Sequence, residues 1–188
     1  MTASPGRTTR LLMVPLAIAP LLTNFLNAMS PAGSSVSSRQ CLLLQGGAMD
    51  QEQFINFVRE RGLGVIATRG ADGAPQAALV GITATEQGEL VFDTSQSSRK
   101  YRNLSAFAQV AMVIGWDNET TVQCEGTADI PTGADHDRCL QAYFRQYPDG
   151  VERTRDHDIV HVRVRPNWLR YSDYRPGSFV VEETTMGN

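Results

Sequence analysis

The sequence lacks most of the residues and motifs from which familiar active sites are built. It has a single lysine, Lys100, beside sixteen arginines, and three cysteines, Cys41, Cys124 and Cys139, without metal-site spacing. An odd number of cysteines provides no disulfide framework, so we expect reduced thiols. No nucleophile elbow, phosphate loop of the Walker type, zinc-binding His-Glu-x-x-His or complete dinucleotide fingerprint occurs. No acid–base pair can be named, which points to chemistry carried by a cofactor or to binding alone.

Charge is distributed unevenly along the 188 residues. The net charge is −3, but residues 1–48 contain three arginines and no acidic residue. Residues 49–188 therefore hold 14 basic against 20 acidic residues, a formal charge of −6. This acidic net charge argues against a nucleic-acid-binding protein, whose affinity depends on neutralising phosphates.

Residues 1–48 are predicted to lie outside the fold. Their apolar stretch is interrupted by Pro15 and Pro20 and is a poor membrane span. A secretory signal and an organelle transit peptide both fit its composition. We favour a third interpretation, in which translation begins at Met49 and the protein is cytoplasmic; a genuine leader would make it exported or organellar.

From Met49 onwards, short strands are separated by turn signals. Asp50 is placed to cap a first helix that ends near Gly62. Strands are predicted at 63–69, 76–85, 90–94, 109–116, 120–130 and 159–165, with an Asp-Gly hairpin turn at 72–73 and a helix at 134–146. This pattern predicts a mainly β protein, a six-stranded antiparallel barrel over residues 49–176 followed by a tail at 177–188.

The segment from Gly88 to Leu104 carries the strongest functional signal. A strand ends at Thr94, and Ser95, Ser97 or Ser98 is placed to cap a helix whose first turn holds Arg99, Lys100 and Arg102. Cations are unfavourable at a helix N-terminus, which is itself partially positive. A bound anion, phosphate above all, would explain them, whereas a solvated basic turn is the alternative.

Three segments together resemble the pyridoxamine 5'-phosphate oxidase-like FMN-binding split-barrel superfamily. They are Phe92–Thr94 with Ser98–Lys100, the run Val122–Gly126, and the run Arg165–Asp173. The resemblance extends over residues 49–174 and implies a Greek-key split barrel that forms a homodimer with a flavin between the subunits. It implies FMN as cofactor, with deazaflavin or haem as alternatives found in some relatives.

The resemblance also assigns cofactor-binding residues. It places Thr94, Ser95, Ser98, Arg99 and Lys100 around the FMN phosphate, Gln123 near the flavin ring, and Trp168 or Tyr171 as an aromatic wall from the partner chain. A core position is the alternative for Trp168.

The chain departs from genuine pyridoxamine phosphate oxidases at the substrate site. Those enzymes have an Arg and a Lys along the second strand, where Gln76 to Ile82 stand here, and a terminal Arg-x-His-Asp-Arg, whose His is missing from Arg170–Arg175. We therefore expect an FMN-dependent oxidoreductase acting on an unidentified small molecule. A non-catalytic flavin carrier or redox sensor is the alternative. We expect no metal site, no nucleic-acid partner and no membrane association.

Overall fold

A computed structural model describes residues 49–155 and 158–186. The predictions made for residues 1–48 lie outside these residues. Eight strands and four α-helices form the described chain, and a single 3₁₀ turn covers Asp117–Glu119. In chain order they are α1 (Gln51–Arg61), β1 (Leu63–Arg69), β2 (Pro75–Gly81), β3 (Thr83–Ala84), β4 (Leu90–Ser95), α2 (Arg99–Ala106), β5 (Gln109–Ile114), β6 (Thr120–Asp129), α3 (Gly133–Gln146), α4 (Gly150–Arg153), β7 (Ile159–Asp173) and β8 (Val180–Thr185).

Local sequence signals explain where the first elements begin and end. The Asp50 side chain accepts a hydrogen bond from the backbone N–H of Gln53, whose own side chain accepts from the N–H of Asp50. This capping box starts α1, and Gly62 ends it in the left-handed conformation (φ 65°). Gly73 (φ 83°) allows the tight turn between β1 and β2, so the predicted first helix and first hairpin are confirmed.

The strands form one antiparallel sheet that curls into a half-barrel. Their order is β2-β1-β5-β6-β7-β4-β3, and β8 pairs with the second half of β7. The chain crosses over after β4, because β5 pairs with β1 and not with β4. The predicted fold class, a mainly β antiparallel split barrel, is confirmed.

The sheet has more strands than the six predicted. Ile82 alone separates β2 from the two-residue β3 within the predicted second strand. Residues 180–185, which fell in the expected tail, form β8 on the edge of β7.

Strand β7 is also longer than predicted. It continues through Pro166 to Asp173, because Pro166 lies beside a bulge where the pairing with β6 shifts after Glu125. A proline is tolerated at a bulge, where no ladder hydrogen bond is required of it. The partner of Pro166 is Gly126, and a Cβ atom there would lie 2.5 Å from the carbonyl oxygen of Arg165.

The main core fills the concave side of the sheet and is closed by α1. Its buried side chains alternate along the strands, as period-2 patterns require. They include Ile66, Ile82, Leu90, Phe92, Met112, Ile114, Val122, Val162, Val164 and Leu169, together with Phe54 and Val58 from α1.

Helix α3 covers the opposite face of β4 and β7. Cys139 and Tyr143 pack there against Val91. Nearby, Arg163 is bound by the carboxylates of Glu89, Asp129 and Asp135, and its side chain is only 7% exposed. Among the described residues, no helix has the length and hydropathy needed to cross a membrane.

Candidate cofactor site

The strongest candidate site lies where β4 passes into α2. Ser98 caps the helix, since its Oγ accepts a hydrogen bond from the N–H of Tyr101 (3.1 Å). The Oγ1 of Thr94 lies 3.0 Å from the same Ser98 oxygen and accepts a hydrogen bond from the Nζ of Lys100 (3.0 Å). The structure therefore brings Thr94, Ser98 and Lys100 into one hydrogen-bonded cluster at the helix N-terminus.

The composition of this cluster suits a phosphate group. Two hydroxyls, an ammonium group and the free N–H groups of the first helical turn are all hydrogen-bond donors toward an anion. None of residues 99–102 is acidic, so nothing within the turn already satisfies the positive end of the helix dipole. The residues present fit the phosphate of FMN.

Arg99 is held at the side of this cluster by strand β2. Its Nε lies 3.1 Å from the side-chain amide of Gln76. The Gln76 amide also lies 2.9 Å from the Nδ2 of Asn103, which donates to the Oγ1 of Thr68 (3.0 Å). Arg99 is thus fixed next to the site by a chain of polar contacts through residues that are largely buried.

Ser95 is not part of the cluster. It lies on the other face of β4, where its hydroxyl donates to the carboxylate of Asp158. The Ser97 hydroxyl donates to the same oxygen of Asp158 (3.0 Å). These hydrogen bonds, that from Ser95 first, hold the pKa of Asp158 below its usual value. Ser95 and Asp158 therefore order the loop before α2 from the face of β4 that lies opposite the cluster.

Of the residues predicted to meet the flavin ring, two share a face of the sheet and one does not. Gln123 of β6 pairs with Arg170, and Trp168 pairs with Glu125 one step along the same exposed face. Tyr171 points to the opposite face, where its ring packs edge-on against Phe57 at a centroid distance of 6.2 Å. Within this subunit, Tyr171 is half-buried and packs against the core.

The other side chains that could act as nucleophiles, bases or metal ligands have structural roles. Cys124 is buried, and burial raises the pKa of its thiol to about 12, so it supplies no thiolate at neutral pH. His161 is buried between the rings of Tyr143 and Phe144, with ring centroids 4.9 and 5.5 Å away. No group of three or more metal-ligating side chains is present in residues 49–155 and 158–186.

Four residues near the site were not predicted from the sequence. Gln76 and Asn103 hold Arg99, and Asp158 orders the loop between β4 and α2. Arg170 stands opposite Gln123. A polar side chain on the inward face of α2 was a signal for Asn103. The other three had no local signal, because each contact joins segments far apart in sequence.

Comparison with known proteins agrees with this architecture. The family model for pyridoxamine 5'-phosphate oxidase matches residues 51–173. The pyridoxine/pyridoxamine 5'-phosphate oxidase of Thermosynechococcus vestitus is 37% identical over 86 residues, which cover 45% of this chain and 39% of that protein. The chain thus matches about two-fifths of the length of its curated relatives.

Solved structures share the fold at low sequence identity. A haem-binding protein from Mycobacterium smegmatis aligns with a TM-score of 0.62 and 19% identity, over 72% of this chain and 58% of that one. The haem storage protein HutZ from Vibrio cholerae aligns with a TM-score of 0.53 and 17% identity, over 64% of this chain and 91% of that one. From the extent of the family match and the shared half-barrel, the chain belongs to the pyridoxamine 5'-phosphate oxidase family.

Proposed function

We propose that this protein binds FMN and uses it as a flavin-dependent oxidoreductase on a small molecule. The observation that carries the proposal is the hydrogen-bonded cluster of Thr94, Ser98 and Lys100 at the N-terminus of α2. When bound, the flavin supplies the redox chemistry that the described side chains lack. The residues that would hold its phosphate are Thr94, Ser98 and Lys100, with Arg99 at the side.

We further propose that two copies of the chain pair through the exposed face of β1, β2 and β5. Val65 lies between Leu79 on one neighbouring strand and Val113 on the other. Leu79 is 59% exposed and Val113 is 39% exposed. A contiguous apolar face of this kind favours association. A homodimer would bring Gln123 and Trp168, on the same side of the sheet, close to a second subunit.

Haem is the second candidate ligand, since two of the solved structures with this fold are named as haem-binding or haem-storage proteins. Deazaflavin is a further candidate ligand. A flavin carrier or a redox sensor, neither of which turns over a substrate, is the alternative function. The cytoplasm is the proposed location, with Met49 as the proposed start.

The decisive experiment is identification of the ligand. Protein expressed from Met49 is expected to purify yellow or to bind one FMN per chain near neutral pH. The bound flavin should be visible in the absorption spectrum. A Soret band with no uptake of FMN would replace the proposal by haem binding. Anaerobic mixing with NADH or NADPH then separates an oxidoreductase from a carrier, because a carrier shows no accelerated flavin reduction.

A further inference from the structure

Asn103 is a polar side chain buried between α2 and the first hairpin. It is the only buried residue of α2, which is described along its whole length, and only 8% of it is exposed. Its amide lies 3.0 Å from the Oγ1 of Thr68 and 2.9 Å from the side-chain amide of Gln76. Thr68 and Gln76 are directly opposite each other on β1 and β2. Asn103 therefore connects α2 to one cross-strand pair of the hairpin.

Arg99 extends this group of polar contacts toward the start of the helix. It precedes Asn103 by four residues, so the two side chains project from the same side of α2. The Gln76 amide lies 3.1 Å from the Nε of Arg99. A guanidinium can only donate hydrogen bonds, whereas a hydroxyl and an amide can both donate and accept. The contacts of Asn103 are therefore compatible with a Gln76 amide that turns its carbonyl oxygen toward Arg99.

The position of Arg99 links these contacts to the candidate phosphate site. Arg99 is the first residue of α2 and stands between Ser98 and Lys100, two members of the cluster that includes Thr94. Its side chain is exposed. An exposed arginine loses side-chain entropy when a ligand fixes it, and a contact that already holds the side chain reduces this loss. Gln76 supplies such a contact in the absence of a ligand.

We infer that Asn103 is a positioning residue for the cofactor phosphate, because it holds Gln76 in the place where Gln76 fixes the guanidinium of Arg99. The inference rests on the proposed function. It assigns a role in phosphate affinity to a buried amide that acts only through Arg99. An apolar residue at this position would fill the space between α2 and the hairpin but could not hold the Gln76 amide.

The test is a double-mutant cycle in the full chain, with the Kd for FMN measured by isothermal titration calorimetry. Asn103→Leu, which replaces the amide by an apolar group of similar shape, is expected to weaken FMN binding about threefold to tenfold. In an Arg99→Ala background the same change is expected to alter the Kd by less than about twofold, because the side chain that Asn103 positions is gone. Equal losses in the two backgrounds would overturn the inference.

Riboflavin, which is the same flavin without the phosphate, separates positioning from general damage to the site. Because Arg99 is expected to act at the phosphate, Asn103→Leu should leave the Kd for riboflavin within about twofold of the parent value. A loss of riboflavin affinity as large as the loss of FMN affinity would mean that Asn103 has a structural role alone.

Thr68→Val is a milder variant that remains informative if Asn103→Leu fails to fold. It removes the hydroxyl bound to Asn103, and FMN binding is expected to weaken in the same direction. Thr85→Val is the matched control, since Thr85 is also buried and its hydroxyl donates to Glu89 at 2.9 Å before the start of β4. This control is expected to keep the parent Kd for FMN. Equal effects of the two threonine variants would contradict the inference.

The possible results separate this inference from the proposed function. If the parent protein takes up no FMN, both are overturned. If the parent binds FMN and both Asn103→Leu and Thr68→Val bind it equally well or more tightly, only the positioning role is overturned. A loss that is confined to FMN and that depends on the presence of Arg99 supports it.

Discussion

Arg163 and Glu89 form an ion pair of 3.0 Å whose two side chains are only 7% and 11% exposed. The same guanidinium binds Asp129 at 2.7 Å and Asp135 at 2.8 Å. Hydrogen bonding to Asp129 raises the pKa of Arg163, and the bond from Arg163 lowers the pKa of Asp129. One arginine of β7 thus connects the end of β6, the turn before β4 and the first turn of α3.

Removal of this arginine is expected to destabilise the fold strongly. Arg163→Ala leaves the buried carboxylate of Glu89 with Arg138 as its remaining cation. Breaking a buried pair costs about 3–5 kcal/mol, and we expect about 3 kcal/mol because Arg138 persists. Urea unfolding measures the change. Arg145→Ala, at an exposed pair with Glu86, is the control and is expected to cost less than about 1 kcal/mol. Equal losses in the two variants would contradict the role of burial.

Lys100→Ala is expected to weaken FMN binding by about 1.5–3 kcal/mol, roughly 10-fold to 150-fold in Kd, the range for a charge-assisted hydrogen bond. The physical reason is the position of its Nζ, 3.0 Å from Thr94 in the candidate phosphate site. Isothermal titration calorimetry with FMN measures the effect. Lys100→Arg is expected to keep part of the affinity, and Arg145→Ala all of it. An unchanged Kd in Lys100→Ala would remove the phosphate assignment.

Leu79→Arg is expected to convert the proposed dimer to a monomer. Leu79 is 59% exposed beside Val65, so an arginine would place a charge within the proposed apolar interface. Light scattering after size exclusion measures the mass. Val151→Arg on α4 makes the same change at a residue that is 43% exposed and should leave the dimer intact. A parent protein that is monomeric would refute the proposed assembly.

His161 is expected to make the protein less stable as the pH falls through about 6.5. Burial lowers the pKa of His161 below its ordinary value of 6.5, so the unfolded chain binds the proton more readily than the folded chain. The free energy of unfolding should then fall by at most about 1.4 kcal/mol per pH unit, from pH 6.5 down to the lowered pKa of the folded state.

His161→Phe tests this expectation, because the phenyl ring retains the packing between Tyr143 and Phe144 and cannot be protonated. Urea unfolding at several pH values from about 7.5 to 5.5 should show a smaller pH dependence in this variant. If His161→Phe kept the full pH dependence, another group would be responsible.

Features that depend on neighbouring residues could be predicted from the amino-acid sequence. The capping box of Asp50, the positive φ of Gly62 and Gly73, the alternation along most strands and the Ser98 cap before Arg99 and Lys100 all act within a few positions of the chain. These signals were sufficient to predict the fold class and the centre of the candidate site at Thr94, Ser98 and Lys100. The reason is that β4 ends at Ser95 and α2 begins at Arg99, so the three side chains are brought together by a short stretch of chain.

Contacts between distant segments became known only from the folded structure. Ser95 faces Asp158 instead of the site, Arg99 lies against Gln76, Tyr171 points into the core, and Arg170 stands opposite Gln123. Each relationship depends on strand register or on the path of the chain after β4, and a bulge at Gly126 shifts the register of β7. Register arises from the packing of the whole sheet, so no short stretch of sequence contains it.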